Sequence, residues 1–175
     1  MSLHAFVDET KASGLLLVAA VLAPRDLASA RTRMRAMCLP GQTRLHFAKE
    51  RPSRRGEIAA AACRSGAAFD VYDATAIADQ LEAREACLRK LVAVLAAEGG
   101  HRLVIEQDDS LLERDRAVLY DQVRRAGVAD SLTYEHLPAR SEPLLWLADT
   151  AAWCWTHGPA WRNRITPAVR HVWRL

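Results

Sequence analysis

Residues 3–23, LHAFVDETKASGLLLVAAVLA, decide the fold. Two apolar, β-capable runs, Leu3 to Val7 and Leu15 to Ala23, flank the polar stretch Asp8-Glu9-Thr10-Lys11-Ala12-Ser13-Gly14. Polar residues ending in a Gly between two such runs read as a hairpin, so the chain opens with an antiparallel strand pair. The nine residues of the second run fall well short of the roughly 20 that cross a bilayer, and they suit a strand. Asp8, Glu9 and Lys11 interrupt any signal-peptide pattern. The expectation is a cytoplasmic protein with reduced thiols and no membrane partner.

Working outward, Pro24 ends the second strand and Asp26 starts a helix to about Cys38. Pro40-Gly41 breaks the chain, and Arg44 to Ala48 forms a short extended segment carrying His46. Pro52-Ser53 offers an N-cap for an Ala-rich helix ending at Gly66. Ala68 to Tyr72 is a strand, and Thr75 caps a long helix to about Glu98, closed by Gly99-Gly100. Arg102 to Glu106 is a strand, Asp109 or Ser110 caps a helix to about Gly127, and Ser131 to Glu135 is a short last strand. Ser141-Glu142-Pro143 opens a helix to about Trp155. An opening hairpin followed by alternating helices and strands predicts a single α/β domain. Its mixed sheet should hold about five strands, with helices packed on both faces. A basic and aromatic tail follows from about residue 159.

Half the 175 residues are hydrophobic and 26% are charged, enough for a core and against global disorder. The net charge of +3 permits a nucleic-acid partner without demanding one. Of the 24 cations only Lys11, Lys49 and Lys90 are Lys, and 32 residues are Ala. That bias is consistent with GC-rich coding, so Arg enrichment alone is not read as phosphate binding. Cys38, Cys63, Cys87 and Cys154 lie too far apart for a zinc knuckle.

The carboxylates sit in unusual places. Asp8 and Glu9 follow directly on the first apolar strand, and Glu106 ends Leu103-Val104-Ile105 in the same way, with Asp108 and Asp109 behind it. Alternation puts Phe6 with Asp8, and Val104 with Glu106. Asp149 is the only charge between Glu142 and His157, and helical spacing places it on one stripe with Leu145, Ala152 and Trp153. A carboxylate there needs a cation, a hydrogen-bond network or a metal. Acids at strand ends and on a packed helix can converge on hard divalent cations, which support phosphodiester cleavage. Capping and pairing with Arg is the structural alternative.

Phe6-Val7-Asp8-Glu9-Thr10, Leu45-His46-Phe47, Val104-Ile105-Glu106 and Leu144-Leu145-Trp146-Leu147-Ala148-Asp149 together resemble the bacterial family called domain of unknown function 3800. The resemblance spans most of the chain. It implies an RNase-H-like fold in which Asp8, Glu106 and Asp149 match the family's acids, with His46 as their companion. It departs from the family at Thr10, where Ser is usual, at the missing Gly after it, and at Trp146, where Gln is common.

On this reading the chain is a nuclease dependent on Mg²⁺ or Mn²⁺, acting on DNA or RNA. Asp8, Glu106, Asp149 and His46 would be catalytic, and Asp8, Glu9, Glu106, Asp109 and Asp149 would ligate metal. A non-catalytic nucleic-acid or protein-binding module on the same fold is the alternative, and a homodimer is compatible with either. The tail carries Arg162, Arg164, Arg170 and Arg174 beside Trp161 and Trp173, a pattern that can hold single-stranded nucleic acid or pack back on the sheet. Asp70 and Asp73, flanking a strand, are expected to cap turns.

Overall fold

The computed structural model describes residues 2–175. Six strands, β1 (Leu3–Thr10), β2 (Leu16–Leu22), β3 (Ala68–Asp73), β4 (Gly100–Glu106), β5 (Thr133–Leu137) and β6 (Val169–Arg174), form one sheet in the order β5-β4-β1-β2-β3-β6. The helices are α1 (Leu27–Ala36), α2 (Pro52–Cys63), α3 (Gln80–Glu98), α4 (Leu112–Arg125), α5 (Leu145–Thr156) and α6 (Pro159–Ile165). The opening hairpin is antiparallel, with His4 opposite Leu22 and Thr10 opposite Leu16. β2 lies between β1 and β3 and is buried along its whole length, which explains its unbroken apolar run. β4 runs parallel to β1, and β5 parallel to β4.

Strand alternation divides the core. Phe6, Val18, Ala20, Phe69, Val71 and Val104 face one layer, built on α1, α2 and α5. Ala5, Val7, Leu17, Ala19, Leu103 and Ile105 face the other, built on α3 and α4. The Ala-rich α2 packs closely, with Ala59 and Ala62 fully buried. Its Gly56 has a packing reason: a Cβ there would stand 3.3 Å from Nη1 of Arg164, which lies across the helix. Among the described residues, no helix is long and apolar enough to cross a membrane.

Several expectations change. The sheet has six strands, because the tail supplies β6 as an edge strand parallel to β3. Asp70 holds it there instead of capping a turn: only 1% exposed, it accepts hydrogen bonds from Nε and Nη2 of Arg170. Asp73 does cap, accepting from the Thr75 N–H and hydroxyl. That occupies Thr75, and the cap of α3 passes to Asp79, whose Oδ1 accepts from the Leu81 and Glu82 N–H groups at 2.9 and 2.8 Å. Pro52 is the first residue of α2 and Ser53 lies inside it, leaving Arg51 at the N-cap. The His46 segment leads into a 3-10 turn, Phe47–Lys49.

Candidate acidic site

The parallel pairing of β1 and β4 is in register up to Val7 beside Ile105. Asp8 and Glu106 are the next residues on each strand, and they share the face of Phe6 and Val104. Neighbouring strands lie about 4.8 Å apart, so the pairing sets the two carboxylates side by side. α5 packs over β1 and β2 on this same face. Leu145 and Ala152 of its inner side are fully buried or nearly so, and Asp149 between them is half-buried. Asp8, Glu106 and Asp149 thus come together on one face from three separate elements.

Their electrostatics follow from that crowding. Burial pushes the Asp8 carboxyl well above the ordinary Asp value, and the charges of Glu106 and Asp149 push it further. Asp8 Oδ1 accepts the Glu9 N–H at 2.7 Å. Burial also raises Asp149, opposed by the Phe47 N–H, which donates to its Oδ2 at 3.0 Å, and by His46. Arg44 answers all three acids. Its Nη1 donates to Glu106 Oε1 at 3.4 Å, and its charge draws Asp8 and Asp149 down. His46 is half-buried, and its Nδ1 has no hydrogen-bond partner.

Glu9 is not gathered with these acids. Alternation turns it to the opposite face, where it pairs with Lys11 at 3.0 Å and with Arg84. Asp109 is exposed and accepts from Nε2 of Gln107 at 2.7 Å. Both nevertheless line a cleft of about 470 Å³ at the carboxyl ends of β1 and β4, with Asp8, Glu106, Gln107 and Asp108.

Two features escaped the reading of the sequence. Arg44 looks like any polar residue before an apolar segment. Behind β1, Arg84 donates to both carboxylate oxygens of Asp115 at 2.7 and 2.8 Å, and His136 Nε2 lies 3.0 Å from Asp115 Oδ2. Arg84 and Asp115 are 3% and 2% exposed, so this ion pair is core structure. Its one signal was two opposite charges on the buried sides of α3 and α4, at positions no local pattern connects.

The donor set suits a hard divalent cation in its chemistry, since the carboxylate oxygens of Asp8, Glu106 and Asp149 crowd together, while Arg44 already answers part of their charge; His46 adds a buried Nδ1 without a partner. The side chains are gathered but not closed into a ligand shell. Among the described residues, no group of three His, Cys, Asp or Glu is arranged to hold a metal ion.

No family model and no curated protein matches the chain. Among solved structures, the complex of PCNA with RNase HII from Archaeoglobus fulgidus matches with a TM-score of 0.54. The match covers 87% of this chain and 70% of that one, at 18% identity. A likeness at that identity is one of fold: the chain has an RNase-H-like fold.

Proposed function

We propose that this chain is a divalent-metal-dependent nuclease that hydrolyses phosphodiester bonds of DNA or RNA, and that it belongs with the domain of unknown function 3800 family. One observation carries the reading: Asp8 and Glu106 stand side by side at the ends of two parallel strands, with Asp149 on the helix above them. Such crowding raises the energy of the ionised site and is relieved by a cation. Asp8, Glu106 and Asp149 would hold Mg²⁺ or Mn²⁺, which would polarise the phosphate and acidify the attacking water. The Phe47 N–H fixes Asp149 for that task. Glu9, through Arg84, anchors the end of β1 and so the backbone of Asp8. His46, beside Asp149, has a free Nδ1 to take or give a proton. The neighbouring fold is that of an RNase HII, which supports a nucleic-acid substrate.

A second reading, a binding module that keeps the fold, is favoured by the ion pair between Arg44 and Glu106, which already satisfies part of the acidic charge. Labelled single- and double-stranded DNA and RNA, incubated with Mg²⁺, Mn²⁺ or EDTA, separate the two. Cleavage that needs metal and disappears in Asp8→Asn and Asp149→Asn establishes the nuclease. Failure of every substrate to be cut, with no metal binding by calorimetry, retires it.

A further inference from the structure

One turn beyond Asp149 on α5, Trp153 begins a stacked surface that the acidic site does not use. The imidazole of His157 lies flat on the Trp153 indole, with centroids 3.8 Å apart and planes 9° from parallel. Arg55 stands over the Trp153 ring at 4.4 Å, and Trp161 meets it edge-on at 5.3 Å. Arg164 lies over Trp161 at 5.1 Å, in the space that Gly56 leaves. The surface is joined to the acids by one residue. Phe47 donates its N–H to Asp149, and its carbonyl accepts from Nε of Arg55 at 3.1 Å.

The charge is as marked as the stacking. Residues 46–57 and 153–165 hold six cations, Lys49, Arg51, Arg54, Arg55, Arg162 and Arg164, against Glu50 and Glu57. Their net excess is larger than the +3 of the whole chain. Arg54 is paired with Glu50 at 2.9 Å. Among the described residues, Lys49, Arg51, Arg55 and Arg164 have no carboxylate oxygen within 4.0 Å. Lys49, Arg51, His157 and Arg164 are exposed. Lys49, Arg51 and Arg164 are therefore free to meet an anion, while Arg55 also donates to the Phe47 and Ala48 carbonyls.

We propose that this surface binds single-stranded nucleic acid and leads it to Asp149, an assignment of substrate that rests on the nuclease reading of the acidic site. A polyanion answers the unpaired cations, and its phosphates would follow Lys49, Arg51 and Arg164. Stacking selects the single strand. Duplex bases are already stacked on one another, and only unpaired bases can use the outer face of His157 or a guanidinium plane. Arg55 and Arg164 are held on Trp rings, so little side-chain freedom is lost when they bind. Asp149 lies about 6 Å along the helix from Trp153, so a strand stacked here places a neighbouring phosphate at the acids.

The test reads binding apart from cleavage. Fluorescence anisotropy of a labelled oligo-dT or oligo-U of about 16 nucleotides, and of the matching duplex, is measured in EDTA across a salt series. The single strand should bind more tightly than the duplex. Arg51→Gln with Arg164→Gln should weaken it about tenfold and lower the log–log salt slope by about 0.7 for each phosphate that is no longer neutralised. His157→Ala should weaken it about fivefold or more, with little change in the slope. A duplex bound as tightly as the single strand, or variants that bind like wild type, would overturn the proposal. A single strand that is bound in this way but never cut with Mg²⁺ supports the surface while overturning the nuclease. Cleavage with binding insensitive to all three substitutions does the reverse. Circular dichroism and thermal melts confirm that each variant is folded.

Discussion

The N–H of Phe47 donates to Oδ2 of Asp149 across 102 residues of sequence, at 3.0 Å. That single bond ties the loop bearing Arg44 and His46 to α5, and so brings a cation and an imidazole to the acids of β1 and β4. Arg55 bridges the same two elements from the other side, donating to the Phe47 carbonyl while it stands over Trp153 of α5. The stability of the protein should respond to this arrangement, and to the ion pairs around it, in ways that melts and unfolding curves can read.

Asp8→Asn should stabilise the metal-free protein at neutral pH by on the order of 1 kcal/mol. Asp8 is raised in the folded state by burial and by Glu106 and Asp149, so the unfolded chain ionises first. Stability therefore falls as pH rises from the ordinary value of 3.8 toward the higher folded one. The amide removes that fall and still accepts the Glu9 N–H through its oxygen. Thermal melts in EDTA from pH 4 to 8 should show a flatter profile for the variant. Mg²⁺ should raise the melting temperature of the wild type and leave that of Asp8→Asn unchanged.

Arg44→Gln should act in the opposite sense. Without the guanidinium that draws Asp8 and Asp149 down, both carboxyls rise further and the metal-free protein loses stability at neutral pH. The pair with Glu106 is partly solvent-exposed, so the loss is at most about 1 kcal/mol. Mg²⁺ should restore more stability to this variant than it adds to the wild type. Melts with and without the ion measure the difference.

Arg84→Met should cost about 3–5 kcal/mol, because Asp115 would remain buried with its charge uncompensated. Burial alone would raise Asp115, but hydrogen bonds from Arg84 and His136 outweigh it and hold the carboxyl below its ordinary value. Its contribution to stability is complete above the ordinary Asp range and is lost as pH falls through the lower folded value. Urea unfolding at pH 7 gives the cost. A series toward pH 3 should show a shallower acid-side loss in the variant.

Gly56→Ala should stabilise by about 0.5–1 kcal/mol, the gain in helix propensity inside α2. The obstacle to the new methyl is the far end of the Arg164 side chain, which can move a few tenths of an ångström. A destabilised variant, measured by urea unfolding, would mean that Arg164 is held rigidly on Trp161.

By itself the sequence determined what is local. The polar break at Asp8 to Gly14 between two apolar runs set the hairpin, and apolar runs bounded by capping residues, Pro and Gly placed most of the helices and strands. Asp8, Glu106 and Asp149 were conspicuous because each is a charge at the boundary of an apolar run or inside one. Whether they meet was decided by the tertiary structure. The parallel pairing of β1 with β4, which sets Asp8 beside Glu106, comes from burial and ladder hydrogen bonds between segments nearly 100 residues apart. Arg44 reaches Glu106 over 62 residues, Arg84 reaches Asp115 over 31, and Arg170 reaches Asp70 over 100. An ion pair leaves no periodicity in either partner, so neither residue announces the other. Glu9 shows the same limit in reverse. Adjacent to Asp8 in sequence, it is sent to the opposite layer by strand alternation, and there it finds a buried cation on α3 that the sequence did not connect to it.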